Sequence, residues 1–219
     1  MTTLKTPQLP LSRLGHLVPP LVDGAALVVL MPLTDDSPWA AKAAWDIARI
    51  AARDGRRVAL VDLCLESPAL HEITGLASTE GIVDAFEYGV SLNVAAHEVT
   101  GVFIIPAGSE TANPAEVYGH ARWRKLHAGF RSEGALLLAL VPQSALAAFA
   151  ADPDGVIALA PEGLSPAFTL ARDVPLLGVV RDRWLPSGPR VSPPLITMPV
   201  ESEPRRGAQF AVASLVVAA

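Results

Sequence analysis

Cysteine is nearly absent from this 219-residue sequence. Cys64 is the single one, and one thiol set in an apolar run excludes both an internal disulfide framework and a multi-cysteine metal site. A cytoplasmic address is the expectation. Aromatic residues are scarce at 5%, and tyrosine occurs only at Tyr88 and Tyr118. Basic residues are outnumbered, 17 against 22 acids for a net charge of −5, and form no block, so the electrostatic footprint of a nucleic-acid binder is missing. His71, His97, His120 and His127 share no ligand spacing with carboxylates or thiols, so neither metal nor cofactor is expected. Long apolar runs are lacking as well. The stretch 135–151 is cut by Pro142, Gln143 and Ser144, and the final "FAVASLVVAA" falls short of the ~20 residues that span a bilayer. The first 24 residues carry four prolines and no unbroken apolar core, which reads as an extended arm rather than a secretory signal.

What the chain does have is hydrophobic content, 51%, enough for a sizeable core. Short β-branched runs at 25–30 and 58–61 have the form of strands buried on both faces. The alanine-rich stretch 38–54 between them, closed by Gly55, predicts a helix. Further strands are expected at 102–105, 136–141, 156–159 and 176–180, with helices near 81–88, 114–131 and 144–150. This alternation predicts an α/β fold of three layers, with helices on both faces of a mostly parallel sheet. The expected organisation is an arm over 1–24, a domain over 25–184, and a proline-rich tail with an apolar end over 185–219.

The first strand–loop–helix, "VVLMPLTDDSPWAAKAAWDIARIAARDG", has the outline of a phosphate-binding unit. Such a loop works because glycines let backbone N–H groups close on phosphates, a lysine neutralises charge and a Ser/Thr hydroxyl holds magnesium. Here the loop holds no glycine. Asp35 and Asp36 would face a polyphosphate with like charge, about 4 kcal/mol unfavourable per pair at ~4 Å and an effective dielectric of ~20. Together with Ser37 they are better placed to cap the helix.

Three blocks give a resemblance: "GRRVALVDLCLESPALHEITGL"; "GIVDAFEYGV" with "VFIIPAGSETANPAEVYGHARWRKLHAGFR"; and "DPDGVIALAPEG" with "VPLLGVVRDRW". In their order along the chain they resemble the bacterial tyrosine autokinases of capsule and exopolysaccharide synthesis. These are relatives of the deviant P-loop ATPases that include the chromosome-partitioning proteins. The resemblance implies a P-loop NTPase-like fold and a set of family positions to compare. Its phosphate lysine falls on Ala40, its magnesium hydroxyl on Ala41, and its loop glycines on Ser37 and Trp39. Lys42 lies about 200° round the helix from Ala40 and offers no rescue. Of the magnesium-site acids, Asp62 remains, while Cys64 and Ala139 stand where two others are expected, and Glu66 and Ser67 replace a basic pair. Neither the tyrosine-rich tail nor the Glu/Arg-rich N-terminal helix of such kinases is present.

The resemblance therefore implies a degenerate, non-catalytic relative in the cytoplasm. Its implied partner is the cytosolic end of a membrane polysaccharide co-polymerase, which would hold it peripherally at the inner membrane. Homo-oligomers, or hetero-oligomers with an active paralogue, go with that reading. The alternatives are a partitioning or positioning ATPase with an unusual nucleotide site, and a degenerate positioning protein of another membrane machine. Individual residues have plainer readings too. Asp62 reads as a cap, Cys64 as a small buried hydrophobe, and Trp39 as a plug in the vacated phosphate pocket or a docking residue. Trp123 and Phe130 read as a core stripe whose basic flank, Arg124, Lys125 and Arg131, is solvated or meets an acidic partner or anionic lipid.

Overall fold

The computed structural model describes residues 8–10, 15, 18–19, 22–53, 55–76, 80–162, 170 and 173–181. Eight strands form one sheet: β1 (Gln8–Pro10), β2 (Leu27–Pro32), β3 (Val58–Asp62), β4 (His97–Val99), β5 (Val102–Ile105), β6 (Leu136–Leu140), β7 (Gly155–Leu159) and β8 (Leu176–Arg181). Their order is β1-β8-β7-β2-β6-β3-β5-β4, parallel throughout except for the β4–β5 edge pair. The helices are α1 (Ser37–Ala51), α2 (Leu70–Thr74), α3 (Ile82–Glu87), α4 (Leu92–Ala95), α5 (Pro114–Tyr118) and α6 (Arg122–Ser132). Among the described residues no helix is long and apolar enough to cross a membrane.

The three layers follow from the strand period of two. Along β6, Leu136, Leu138 and Leu140 join the core under α1 and α2, while Leu137 and Ala139 face the opposite core under α3, α5 and α6. β2 and β3 divide in the same way, so the central strands are apolar on both sides, as parallel sheets covered by helices require. α1 turns Ala40, Ala44, Ile47 and Ala48 inward and puts Lys42 into solvent, paired with Asp46 at 2.7 Å.

Two expectations are corrected. The helix foreseen over 114–131 is two helices, broken where α5 ends at Gly119 and its amide turns back to Ala115 O; a side chain there would meet that same oxygen at 3.1 Å. The stretch 144–150 holds only a 3-10 turn, Gln143–Ala145, because the chain must come back for Ala150 N to donate to Tyr118 O. The arm contributes the edge strand β1, paired with β8. The tail over 185–219 lies outside the described residues.

At the amino end of the sheet one carboxylate ties three elements together. Asp154 accepts from Ala26 N (2.7 Å) and Leu27 N (3.0 Å), His127 Nε2 lies 3.2 Å from the same oxygen, and Arg131 reaches the other oxygen. Burial pushes the carboxyl up, but the Leu27 and Ala26 amides, Arg131 and His127 outweigh it and hold it at about 2. A folded-state value below the unfolded one stabilises at higher pH. That stability, about 2 kcal/mol, is present above pH ~4 and lost as pH falls towards ~2. Asp154→Asn is expected to remove that part of the acid limb, measured as unfolding free energy against pH.

Candidate functional site: a cleft at the carboxyl ends of the strands

A cleft of about 1030 Å³ opens beyond the carboxyl ends of β2, β3 and β6, where open α/β sheets bind their ligands. Thr34, Asp35 and Ser37 line it from the loop after β2, and Cys64, Glu66 and Ser67 from the loop after β3. Tyr118 of α5 and Gln143 and Ser144 after β6 complete it. Among the described residues no lysine, arginine or histidine lines this space; its formal charges are those of Asp35 and Glu66.

Several amides around the loop after β2 and the start of α1 are engaged within the chain. Leu33 N donates to Leu159 O (2.8 Å), Ser37 N to Asp35 O (3.0 Å) and Ala40 N to Asp36 O (3.0 Å). Asp36 N donates to Thr34 Oγ1 (3.1 Å), and Trp39 N to Asp36 Oδ1 (3.0 Å), which makes Asp36 the N-cap of α1. Pro38 has no N–H to give. A loop that cradles phosphate turns such amides outward; these are taken up by acceptors of the chain.

The positions singled out in the sequence do not all meet. Ser37, Ala40 and Cys64 share the cleft. Ala41 is fully buried in the core under α1. Trp39 does not line the cleft; it is half-buried against that same core, so the indole leaves the space open instead of plugging it. Ala139 lies inside β6, in register with Val29 and Val61, and faces the opposite core.

Asp62 is fully buried at the end of β3. Its Oδ1 accepts from Cys64 N (3.0 Å) and its Oδ2 from Ala69 N (3.2 Å) and Leu70 N (3.0 Å), so it caps α2 from eight residues away. Burial raises its carboxyl against the pull of the Leu70, Cys64 and Ala69 amides. Burial, then the Asp62 charge, pushes the Cys64 thiol far above the ordinary thiol range. Cys64 is accordingly expected to react with iodoacetamide at pH 7.5 at least tenfold more slowly than free cysteine, because the thiolate is the nucleophile; rates from intact-mass spectra check this.

No motif or spacing announces Tyr118 as a residue of the cleft. Its hydroxyl donates to Leu63 O (3.1 Å), and burial, with Cys64 and Glu66 nearby, pushes the phenol up to about 12. The Pro-Ala-Gly block has a structural reason. Gly81 lies so close to it that a side chain would meet Pro106 O at 2.3 Å and Gly108 N at 2.4 Å. Asp84 fastens the junction, accepting from Gly81 N (2.7 Å), Ser109 N (3.0 Å) and Ser109 Oγ (2.6 Å).

No family model and no curated protein matches the sequence. Solved structures do. The kinase domain of the Escherichia coli tyrosine kinase ETK superposes with a TM-score of 0.64 at 16% identity, over 78% of this chain and 72% of that one. The BceF tyrosine kinase domain gives 0.65 at 18% identity, over 79% and 77%, and the VpsO kinase domain 0.65 at 18%, over 78% and 91%. The chain has the P-loop NTPase-like fold of bacterial tyrosine kinase domains. At these identities the likeness is one of fold. On this fold the cleft lies at the strand ends, and its polar lining is carboxylates, hydroxyls, a thiol and an amide among apolar side chains.

Proposed function

We propose that the chain is a non-catalytic relative of the bacterial tyrosine autokinases, a pseudokinase that has lost MgATP binding. It would act as a cytoplasmic subunit that binds a membrane polysaccharide co-polymerase and regulates or scaffolds polysaccharide synthesis and export. The observation that carries the first half is the cleft: no cation among its described lining residues, and a loop in which the Leu33, Asp36, Ser37, Trp39 and Ala40 amides are bonded within the chain. A polyphosphate entering it would meet Asp35 and Glu66 without a lysine, and one helix end supplies only about 0.3–1 kcal/mol towards an anion. The partner follows from the resemblance of the three sequence blocks and from the kinase-domain fold.

Binding to the co-polymerase should not need nucleotide. Full-length protein co-expressed with the co-polymerase from its own gene neighbourhood is expected to co-purify with it from nucleotide-free detergent extract, unchanged by MgATP. Absence of a complex would remove the partner. A complex that forms only with MgATP would favour the ATPase of partitioning type.

A further inference from the structure

A second, smaller cavity of about 50 Å³ lies between the sheet, α4 and α6, and shares no lining residue with the cleft. Its floor is Ala59 of β3, in register with Phe103 of β5 on one side and Leu137 of β6 on the other. A small side chain between two large ones leaves the space. Trp123, Leu126 and Phe130 of α6 roof it, while on the β5 side Leu92 of α4 and Ala96 just after it form the wall. A helix of four residues is only ~6 Å long and does not close the gap to α6.

The cavity reaches solvent. Ala59 keeps 5% of its surface accessible although strands pair with it on both sides, whereas Val58, Leu60 and Val61 keep 0%. Among the described residues no nitrogen or oxygen faces the interior. Arg57 lends its aliphatic stem to the lining, and its guanidinium turns to Glu133, 2.9 Å from the carboxylate and 2.8 Å from the main-chain carbonyl. The two charges at the mouth cancel.

These features fix the class of occupant. Water needs two to four polar partners and is offered none, and a charged group would lose its hydration without compensation. An uncharged apolar group gains by entering. One water takes up ~10–15 Å³ of such space, so the interior holds about three or four carbon atoms. We propose that this cavity is a binding site for an uncharged small molecule with a short branched or cyclic hydrocarbon end, its polar part left at the Arg57–Glu133 mouth. Bound there, it joins α4 and α6 to the edge of the sheet. The site is independent of the nucleotide reading of the cleft.

NMR of the methyl groups in the full-length protein tests this, with isoamyl alcohol as the probe and isovalerate as its charged counterpart. The alcohol is expected to shift the Leu126 and Leu137 methyl signals saturably, with a dissociation constant on the order of 10 mM, as suits six non-hydrogen atoms. Isovalerate at the same concentrations is expected to leave them in place. Ala59→Val fills the floor and is expected to weaken binding about tenfold or more. Ala96→Leu narrows the mouth and gives the same reading should the β3 variant fail to fold. The absence of a saturable shift in the parent protein, or unchanged affinity in a folded variant, would overturn the proposal. Equal binding of isovalerate would overturn it too, because the site would then accept charge.

Discussion

Trp123→Ala is expected to lower the unfolding free energy by about 4 kcal/mol, and Trp39→Ala by only about 1–2, read from denaturant midpoints at constant slope. Trp123 is fully buried. Its ring stands 4.9 Å from Phe86 and 5.1 Å from Phe149, and its Nε1 donates to Val117 O at 2.8 Å. Alanine there removes a large apolar surface, two ring contacts and a hydrogen bond, and leaves a cavity under α6. Trp39 loses less because part of its surface already meets water. The pair separates two accounts of the loop after β2. If Trp39 plugged a vacated pocket it would behave like a core tryptophan; a loss as large as that of Trp123 would contradict the open cleft.

The second large effect belongs to Asp62. Asp62→Ala is expected to cost about 3 kcal/mol, because it strands the buried amides of Ala69 and Leu70 and removes the cap of α2. Asp62→Asn keeps one acceptor oxygen and should cost about half as much. Magnesium at 10 mM is expected to shift neither the parent nor the variants. A carboxylate retained for magnesium would show the opposite pattern: a near-neutral alanine substitution, and a parent stabilised by the ion according to its affinity.

Where burial on both faces writes itself into the sequence, the reading succeeds. β2, β3 and β6 are continuous apolar runs, and α1 carries its alanines and isoleucines at helical spacing, so their place in a covered parallel sheet is legible. α2 was not foreseen, because its five residues are too few for a period and its cap, Asp62, sits eight residues away in another element. The break between α5 and α6 turns on Gly119, whose effect depends on where Ala115 O lies in space. At the site, Asp36 as the N-cap and Lys42 on the outer face of α1 follow from spacing alone. Trp39 and Ala139 do not. Both were placed by their distance along the chain from family positions, and the pleat turns Ala139 to the other side of the sheet. Gly81 and Gly108 are further cases, since close backbone approach is a property of the pair and neither glycine announces it.

The central claim is that a kinase-domain fold here holds a cleft that does not take nucleotide, and isothermal titration of the full-length protein with MgATP tests it directly. The account predicts no saturable heat up to 1 mM. A micromolar dissociation constant, worth about −8 kcal/mol, would contradict it.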